Sequence, residues 1–481
     1  MQKENISSAE LLSKELLFKS ELAWNKMTEM QREEMTTFSE DYKRYLSISK
    51  TERLCVDYSV KLAKASGFKS FDFYFEKGVL KSGDKVYFSN NDKTLSLFII
   101  GKNPFEKGLS IVGAHIDSPR LDIKPQPLYE DSDLAFMKTH YYGGIKKYQW
   151  VTIPLAIHGV VIKTDGAKVN ISLGEDENDP VFCITDLLPH LSKEQDQKKM
   201  AEGITGEGLN LLVGSIPYSD DKIGEPIKLN ILKWLHDRYG IKEIDFTSAE
   251  LEVVPAGKAR DVGFDRSLIG SYGQDDRICA YTALRGILDF DDDFIPERTI
   301  CTILADKEEI GSYGSTGMGS EYFKNQLMEL IDLFGVEKCN VTLRRALYRS
   351  ACLSADVTAA YDPTYSGTHD LRNASYIGKG IVVAKYGGAR GKSGSNDAHP
   401  EFLGKLRACF DENNVVWQTG ELGKIDLGGG GTIAWMLAQY GMDVVDCGPG
   451  VLSMHAPLEI SSKNDVYMSY LAYHNFFKSF N

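Results

Sequence analysis

The sequence predicts an α/β fold with a mixed or mainly parallel central sheet, interrupted by a second, strand-rich unit. Three observations carry that expectation. Beyond residue 255, helix-period and strand-like segments alternate. Between 121 and 254 that rhythm gives way to extended runs and a polar stretch. Acids and histidines recur at the carboxyl ends of the strand-like segments, where open α/β sheets gather their ligands.

The first eighty residues read as largely helical. Ser7 or Ser8 can cap a helix with Leu11, Leu12, Leu16 and Leu17 on one face. A second helical segment runs from about Met35 to Ala65 and stops before Gly67, a residue suited to the turn past a helix end. Strand-like runs follow at 72–76 (DFYFE), 85–90 (KVYFSN), 96–101 (SLFIIG) and 109–117 (LSIVGAHID). The last is apolar and ends on His115 and Asp117.

From about Lys124 a stretch rich in Pro, Tyr and Lys leads into 151–162 (VTIPLAIHGVVI), which reads as strand. A polar segment from 176 to 221, a short helix near 230–239 and extended structure over 250–264 complete the inserted unit. The expected organisation is therefore a discontinuous domain, 1–120 with 255–481, and an inserted domain, 121–254. Further on, 275–290 reads as helix, 298–309 as a strand with a loop, and 320–334 as helix. The run 343–363 (LRRALYRSACLSADVTAAYDP) is read as a strand ending near Asp356. Strand 378–388, helix 432–441 opened by Gly428 to Gly431, and strand 442–448 follow.

Composition narrows the function. At 42% hydrophobic and 26% charged residues the chain is an ordinary globular protein. A formal net charge of −13 argues against nucleic acid or an anionic membrane as the main partner. The eight cysteines include no C-x-x-C pair and read as reduced thiols. The amino-terminal string MQKENISSAELLSKELL lacks the basic and apolar regions of a signal peptide, and the longest apolar stretch, 151–162, is too short to span a bilayer. A cytoplasmic protein is expected.

Five strings carry the chemistry: GAHIDSP (113–119), YGQDDR (272–277), DKEEIGS (306–312), SADVT (354–358) and SMHAP (453–457). Their oxygen-rich donor set with two histidines suits zinc, manganese or cobalt, and a pair of ions about 3.5–4 Å apart is the usual hydrolytic arrangement. Asp117 can fix the ring of His115, since a ligand histidine commonly leans on a carboxylate. Of Glu308 and Glu309, adjacent carboxylates projecting differently, one can bind metal while the other faces substrate as a base. One of Asp275 and Asp276 can bridge two cations while the other pairs with Arg277 or caps the next helix. Each string alone has a plainer explanation, such as a solvated loop or a hydrogen-bonded core histidine. Five such sites at strand ends of one α/β chain do not. The glycine run 428–431 lacks a P-loop ending, and 311–319 (GSYGSTGMG) is no dinucleotide fingerprint; close backbone packing accounts for the former.

In this order, from HxDSP through LAIH, the DD and EE pairs and SAD to GGTIA…MH…E, the strings resemble the M18 metalloaminopeptidases, the aspartyl aminopeptidase family, over nearly the whole chain. The resemblance implies a fold like that of dinuclear-metal exopeptidases, a mixed central sheet flanked by helices and interrupted by a β-rich dimerisation domain. It implies two divalent ions per subunit, zinc first with cobalt or manganese as alternatives, and assembly of dimers into a homododecamer. By position, His115 and Asp356 would bind one metal, Glu309 and His455 the other, and Asp275 would bridge them. Glu308 would be the general base, acting on water held between the metals, with Asp117 beside it in the catalytic set. His158 would reach a neighbouring subunit's active site, and Lys385 would pair with an acidic N-terminal side chain of the peptide substrate. The chain departs from eukaryotic members at Ala359 and Ser393, where they carry His and Tyr. A deacylase on the same scaffold, or a non-catalytic shell protein, are the alternative readings.

Overall fold

The computed structural model describes residues 7–18, 20–219, 222, 224–394 and 396–480. The first six residues of the amino-terminal string and the last two of the polar segment 176–221 lie outside them. Nine strands form the large sheet, in the order Lys69–Ser70, Lys85–Asn90, Thr94–Ile99, Thr299–Ala305, Leu109–His115, Ala351–Ser354, Asp443–Gly448, Ile381–Ala384 and Trp417–Thr419. The four strands from Thr299–Ala305 to Asp443–Gly448 are mutually parallel, and antiparallel pairings flank them on both sides. The sheet is thus mixed.

Leu109–His115 and Thr299–Ala305 are buried at every position, as their unbroken apolar texture requires of parallel strands covered on both faces. Alternate residues feed two cores. Val112, Ala114, Leu353 and Val445 pack with helices Glu29–Ile48, Gln274–Leu288 and Lys463–Ser479. Ile111, Cys352 and Val444 pack with Tyr322–Leu333, Cys339–Tyr348 and Ala434–Ala438 on the other face.

A six-stranded antiparallel sheet is drawn entirely from residues between Arg120 and Pro255. Its order is Lys168–Leu173, Leu155–Ile162, Ala249–Pro255, Arg120–Asp131, Leu134–Tyr142, Leu211–Gly214. It has its own apolar core around Trp150, Leu155, Val253 and Leu211, which helix Pro226–Tyr239 helps to cover. A third, three-stranded sheet pairs Leu268–Ser271 with Glu459–Ser462 and so brings the start of helix Gln274–Leu288 beside Glu459.

Three local expectations are corrected. The run 72–76 is not a strand but lies in helix Phe71–Lys77, which ends on Gly78 at φ 70; Phe71 and Phe75, one turn apart, pair on its surface while Phe71 stacks on Phe88. The segment 35–65 is two helices, Glu29–Ile48 and Glu52–Ala65, because Thr51 turns to extended backbone and its hydroxyl caps Leu54. The LRRALY part of 343–363 belongs to helix Cys339–Tyr348, whose apolar positions 343, 346 and 347 follow helical spacing, and the strand is only Ala351–Ser354. The first helix, Ser8–Leu16, does start from Ser7, with a full capping box to Glu10.

Candidate metal centre

Six of the sequence-predicted residues meet at the carboxyl ends of the central strands. His115 closes Leu109–His115, Glu308 and Glu309 follow Thr299–Ala305, Asp356 follows Ala351–Ser354, and His455 lies on the loop after Asp443–Gly448. Asp275 comes from the first turn of helix Gln274–Leu288, next to Gly273 at φ 71. The Asp275 carboxylate divides between the histidines: Oδ1 is 3.2 Å from His115 Nε2 and Oδ2 is 3.1 Å from His455 Nε2. Asp356 Oδ1 and Glu308 Oε2 each stand 3.9 Å from His115 Nε2, and Glu309 Oε1 is 3.5 Å from His455 Nε2.

The imidazole orientations follow from their outer nitrogens. His115 Nδ1 is 3.0 Å from the Asp117 carbonyl, and His455 Nδ1 is 2.9 Å from the Gly144 carbonyl. A carbonyl only accepts, so each Nδ1 donates, which leaves each Nε2 as the nitrogen that faces the site. Asp117 is fully buried and holds the loop of the two glutamates: its Oδ1 accepts from Glu308 N and its Oδ2 from Glu309 N, both at 3.1 Å.

Electrostatically the cluster is short of positive charge. Burial, reinforced by Asp117 and Asp275, pushes Glu308 up to about 7. Burial, then Asp275, raises Glu309 well above the carboxylate range, and burial, then Asp276, does the same to Asp356. Burial opposes ionisation of the histidines, but Asp117 and Asp275 outweigh it at His115, and Asp275 and Glu309 lift His455 to about 10. Only Asp275, hydrogen-bonded to both rings against its burial, is held below the ordinary range. Glu309 Oε1 and Asp276 Oδ1 are buried with no hydrogen-bond partner. Orphaned buried oxygens beside two inward-facing imidazole nitrogens, which would ligate on losing their Nε2 protons, fit divalent cations. Two overlapping triads could hold one: His115, Asp275 and Glu309, and His115, Asp276 and Asp356, each with its donor atoms within 4.8 Å of one another. The second uses Asp276, which neither pairs with Arg277 nor caps the helix, and instead accepts from His115 N at 3.4 Å.

The six residues line a cavity of about 870 Å³, together with Tyr386, Arg390, Lys392 and the glycines 428–431. Gly429, at φ +110, packs where a Cβ would stand 2.3 Å from the Gly388 carbonyl, and at Gly428 one would stand 1.8 Å from the Leu422 carbonyl, so close packing accounts for the first two glycines of the run but not for Gly430 or Gly431. Two predicted residues are elsewhere. His158 lies in the six-stranded sheet, 3% exposed, with Nε2 3.2 Å from Glu175 and Nδ1 unpartnered. Lys385 is absent from the cavity wall although Ala384 and Tyr386 line it, and its Nζ stands 4.8 Å from the Tyr386 ring centre.

Sequence reasoning quoted Glu459 only as the last letter of MH…E and gave it no role; its two oxygens accept from Asp275 N and His455 N at 3.1 and 2.7 Å. It also missed Tyr142 and Gly144, which reach the site from the six-stranded sheet. Burial raises Glu459 to about 8, with Asp275 adding to it. The sequence signal for the second pair was the YYGG string at 141–144, two glycines directly after a strand.

A parallel-centred α/β sheet with histidines and carboxylates at its strand ends is the architecture of a metallohydrolase. The family model described as aminopeptidase I zinc metalloprotease (M18) matches residues 45–477. A probable M18 family aminopeptidase 1 of Clostridium acetobutylicum is 54% identical over 94% of this chain and 97% of its own length. Its namesake in Thermotoga maritima is 47% identical over 92% and 96%. Among solved structures, an M18 aminopeptidase from Thermotoga maritima superposes with a TM-score of 0.91 at 45% identity, covering 96% of this chain and all of that one. Aminopeptidase I from Clostridium acetobutylicum does so at 0.89 and 50%, with coverages of 96% and 100%. The chain belongs to the M18 family of zinc metalloaminopeptidases, hydrolases that act on peptide bonds.

Proposed function

We propose that the protein releases N-terminal residues from peptides at a centre of two divalent cations, zinc by family, with Asp275 between them. His115 and Asp356 would hold one ion and Glu309 and His455 the other, and Asp276 lies close enough to His115 and Asp356 to add a donor to the first. The observation that carries this reading is the Asp275 carboxylate, which gives one oxygen to each histidine. Bound there, the cations would polarise the scissile carbonyl and the attacking water. Glu308 takes the proton from that water at Oε2 and returns it to the leaving amine. Its carboxylate faces His115 Nε2 at 3.9 Å without standing in either candidate ligand triad, which leaves it available as the base. Asp117 keeps the Glu308 and Glu309 backbones in place beneath the site.

Replacing Glu308 by Gln keeps the side chain's size and removes the base. Glu308→Gln is expected to retain zinc and assembly while kcat falls by roughly 10²–10⁴-fold. Near-normal turnover in that variant sinks the mechanism.

The finer reading is a preference for acidic N-terminal residues. It is supported by cations on the cavity wall, Arg390 and Lys392, with Lys385 sharing the Tyr386 ring with Lys392. Aminoacyl amides of Asp and Glu compared with Leu and Lys on the zinc-loaded protein decide it, and N-blocked amino acids in the same panel exclude a deacylase. Residues 121–254 serve assembly in this reading, and a yeast relative at 20% identity is described as a dodecamer. In this reading His158 would offer a neighbouring subunit its Nδ1, which has no partner here, while Nε2 stays on Glu175.

A further inference from the structure

The strand Leu134–Tyr142 of the six-stranded sheet runs into the metal centre, and the three residues at and after its end touch it in three ways. Tyr142 Oη donates to Asp117 Oδ2 at 2.8 Å. Gly143, at φ +72, passes so close to Glu309 that a Cβ there would stand 3.4 Å from that residue's Cβ and Oε2. The Gly144 carbonyl accepts from His455 Nδ1 at 2.9 Å.

Asp117 is the point where these contacts matter most. A carboxylate offers about four lone-pair positions. Here Oδ1 takes Glu308 N and faces His115 Nδ1 at 3.3 Å, while Oδ2 takes Glu309 N and the Tyr142 hydroxyl. Three of the four partners belong to the metal-site loops themselves. The fourth comes from the other sheet. The ring that carries it is clamped: the Arg120 guanidinium lies 3.9 Å from the Tyr142 ring centre. Arg120 is itself 4% exposed and bound to Glu52 at 2.9 Å, Asp122 at 2.8 Å and Glu252 at 3.4 Å. Packing against Arg120 needs only an aromatic face, so the hydroxyl has its use at Asp117.

We infer that Tyr142 is a positioning residue for the general base: through Asp117 it holds the Glu308–Glu309 backbone, so the inserted sheet completes the catalytic centre of its own chain. This rests on Glu308 being the base. Partners of this rank, one step behind the ligands, typically change metal affinity or activity by 10–100-fold.

The test compares the full-length Tyr142→Phe variant, which keeps the ring under Arg120 and loses only the hydroxyl, with the wild type and with Glu308→Gln. Zinc affinity is measured by competition with a chelator, and kcat and KM on an aminoacyl p-nitroanilide. The expected result is a wild-type melting temperature, zinc bound roughly tenfold or more weakly, and kcat lowered about 10–100-fold with KM within about twofold. A folded Tyr142→Phe protein with wild-type zinc affinity and kcat overturns the assignment, while an inactive Glu308→Gln beside it leaves the mechanism standing. An active Glu308→Gln removes the base, and the assignment with it. Should Tyr142→Phe not fold, Gly144→Ala decides, since its Cβ would stand 3.2 Å from His455 Nδ1. Weakened zinc binding supports the strap from the inserted sheet, and unchanged zinc binding and turnover overturn it.

Discussion

Two buried clusters of charged side chains meet at Tyr142, and they are opposite in kind. At the metal centre Asp117, Asp275, Asp276, Glu308, Glu309, Asp356 and Glu459 surround the rings of His115 and His455, and burial raises five of the seven carboxyls. At the junction of the two sheets, Arg120 and Lys93 bring permanent cations to Glu52, Glu250 and Asp122. There Glu52 stays below its ordinary range despite complete burial, because Arg120 and Lys93 face it. Its neighbour Glu252, equally buried and repelled by Glu52, is pushed up instead, so the cations secure one of the two acids rather than both. The chain carries its own counter-charge at the junction and leaves the metal centre to be neutralised from outside. A buried acid without a partner is costly, so the deficit is a structural argument for bound cations that is independent of family.

The comparison breaks if the metal centre is stable and active without ions. Chelation is expected to abolish aminopeptidase activity and zinc to restore it. Thermal unfolding should also shift, because an ion present at 100–1,000 times its Kd stabilises by about 3–4 kcal/mol. An active protein shown to be free of metal would end the reading. At the junction the reverse experiment applies. Removing the built-in cation with Arg120→Met strands Glu52 and Glu252, and breaking a buried pair from one side costs about 3–5 kcal/mol. That loss is expected in chemical denaturation with zinc present throughout.

The metal-free protein sharpens the contrast through pH. Without metal, burial raises Glu308 to about 7 and Glu459 to about 8 from an ordinary value of 4.5. Between 4.5 and those values the folded state holds protons that the unfolded state has released, so stability falls as pH rises across that window. For Glu308 the shift amounts to on the order of 3 kcal/mol. Chelated protein is expected to melt progressively lower from pH 5 to pH 8, and zinc-loaded protein to lose that slope. The same melting temperatures with and without metal across this range would contradict the charge deficit.

What the sequence revealed of this arrangement depended on periodicity and on local strings. His115, Glu308, Glu309 and Asp356 were legible because apolar strands such as TICTILA end abruptly in acids, and only the carboxyl end of a strand makes that tolerable. The helix Phe71–Lys77 was misread because its aromatic run has high strand propensity, which outweighed its end signals: Ser70 at the N-cap, Asp72 in the first turn and Gly78 past the end. Asp276 was seen as a cap or an ion-pair partner, since the turn that sends its carboxylate toward His115 N has no sequence signature. Tyr142, Gly144 and Glu459 fall in visible strings, YYGG and MH…E, but their roles were not legible. Tyr142 meets Asp117 across 25 positions, Glu459 meets Asp275 across 184 and Gly144 meets His455 across 311, and no local pattern encodes such a distance.

The smallest expected effect separates the cations around the cavity. Arg390 lines its wall with Lys392, whereas Lys385 does not, and its Nζ stands 4.8 Å from the Tyr386 ring centre. A hydrogen bond to a charged group is worth about 1.5–3 kcal/mol, so Arg390→Met is expected to lower kcat/KM for an N-terminal Asp substrate by about tenfold or more relative to a Leu substrate. Lys385, partly exposed to solvent, would act on the same carboxylate only through a screened charge, an interaction of about 0.2–1 kcal/mol. Lys385→Met should therefore change the Asp-to-Leu ratio about fivefold at most, and less as salt is added. If Lys385→Met instead abolishes the ratio and Arg390→Met leaves it intact, the ammonium reaches the substrate directly, and the cavity wall must rearrange when a peptide binds.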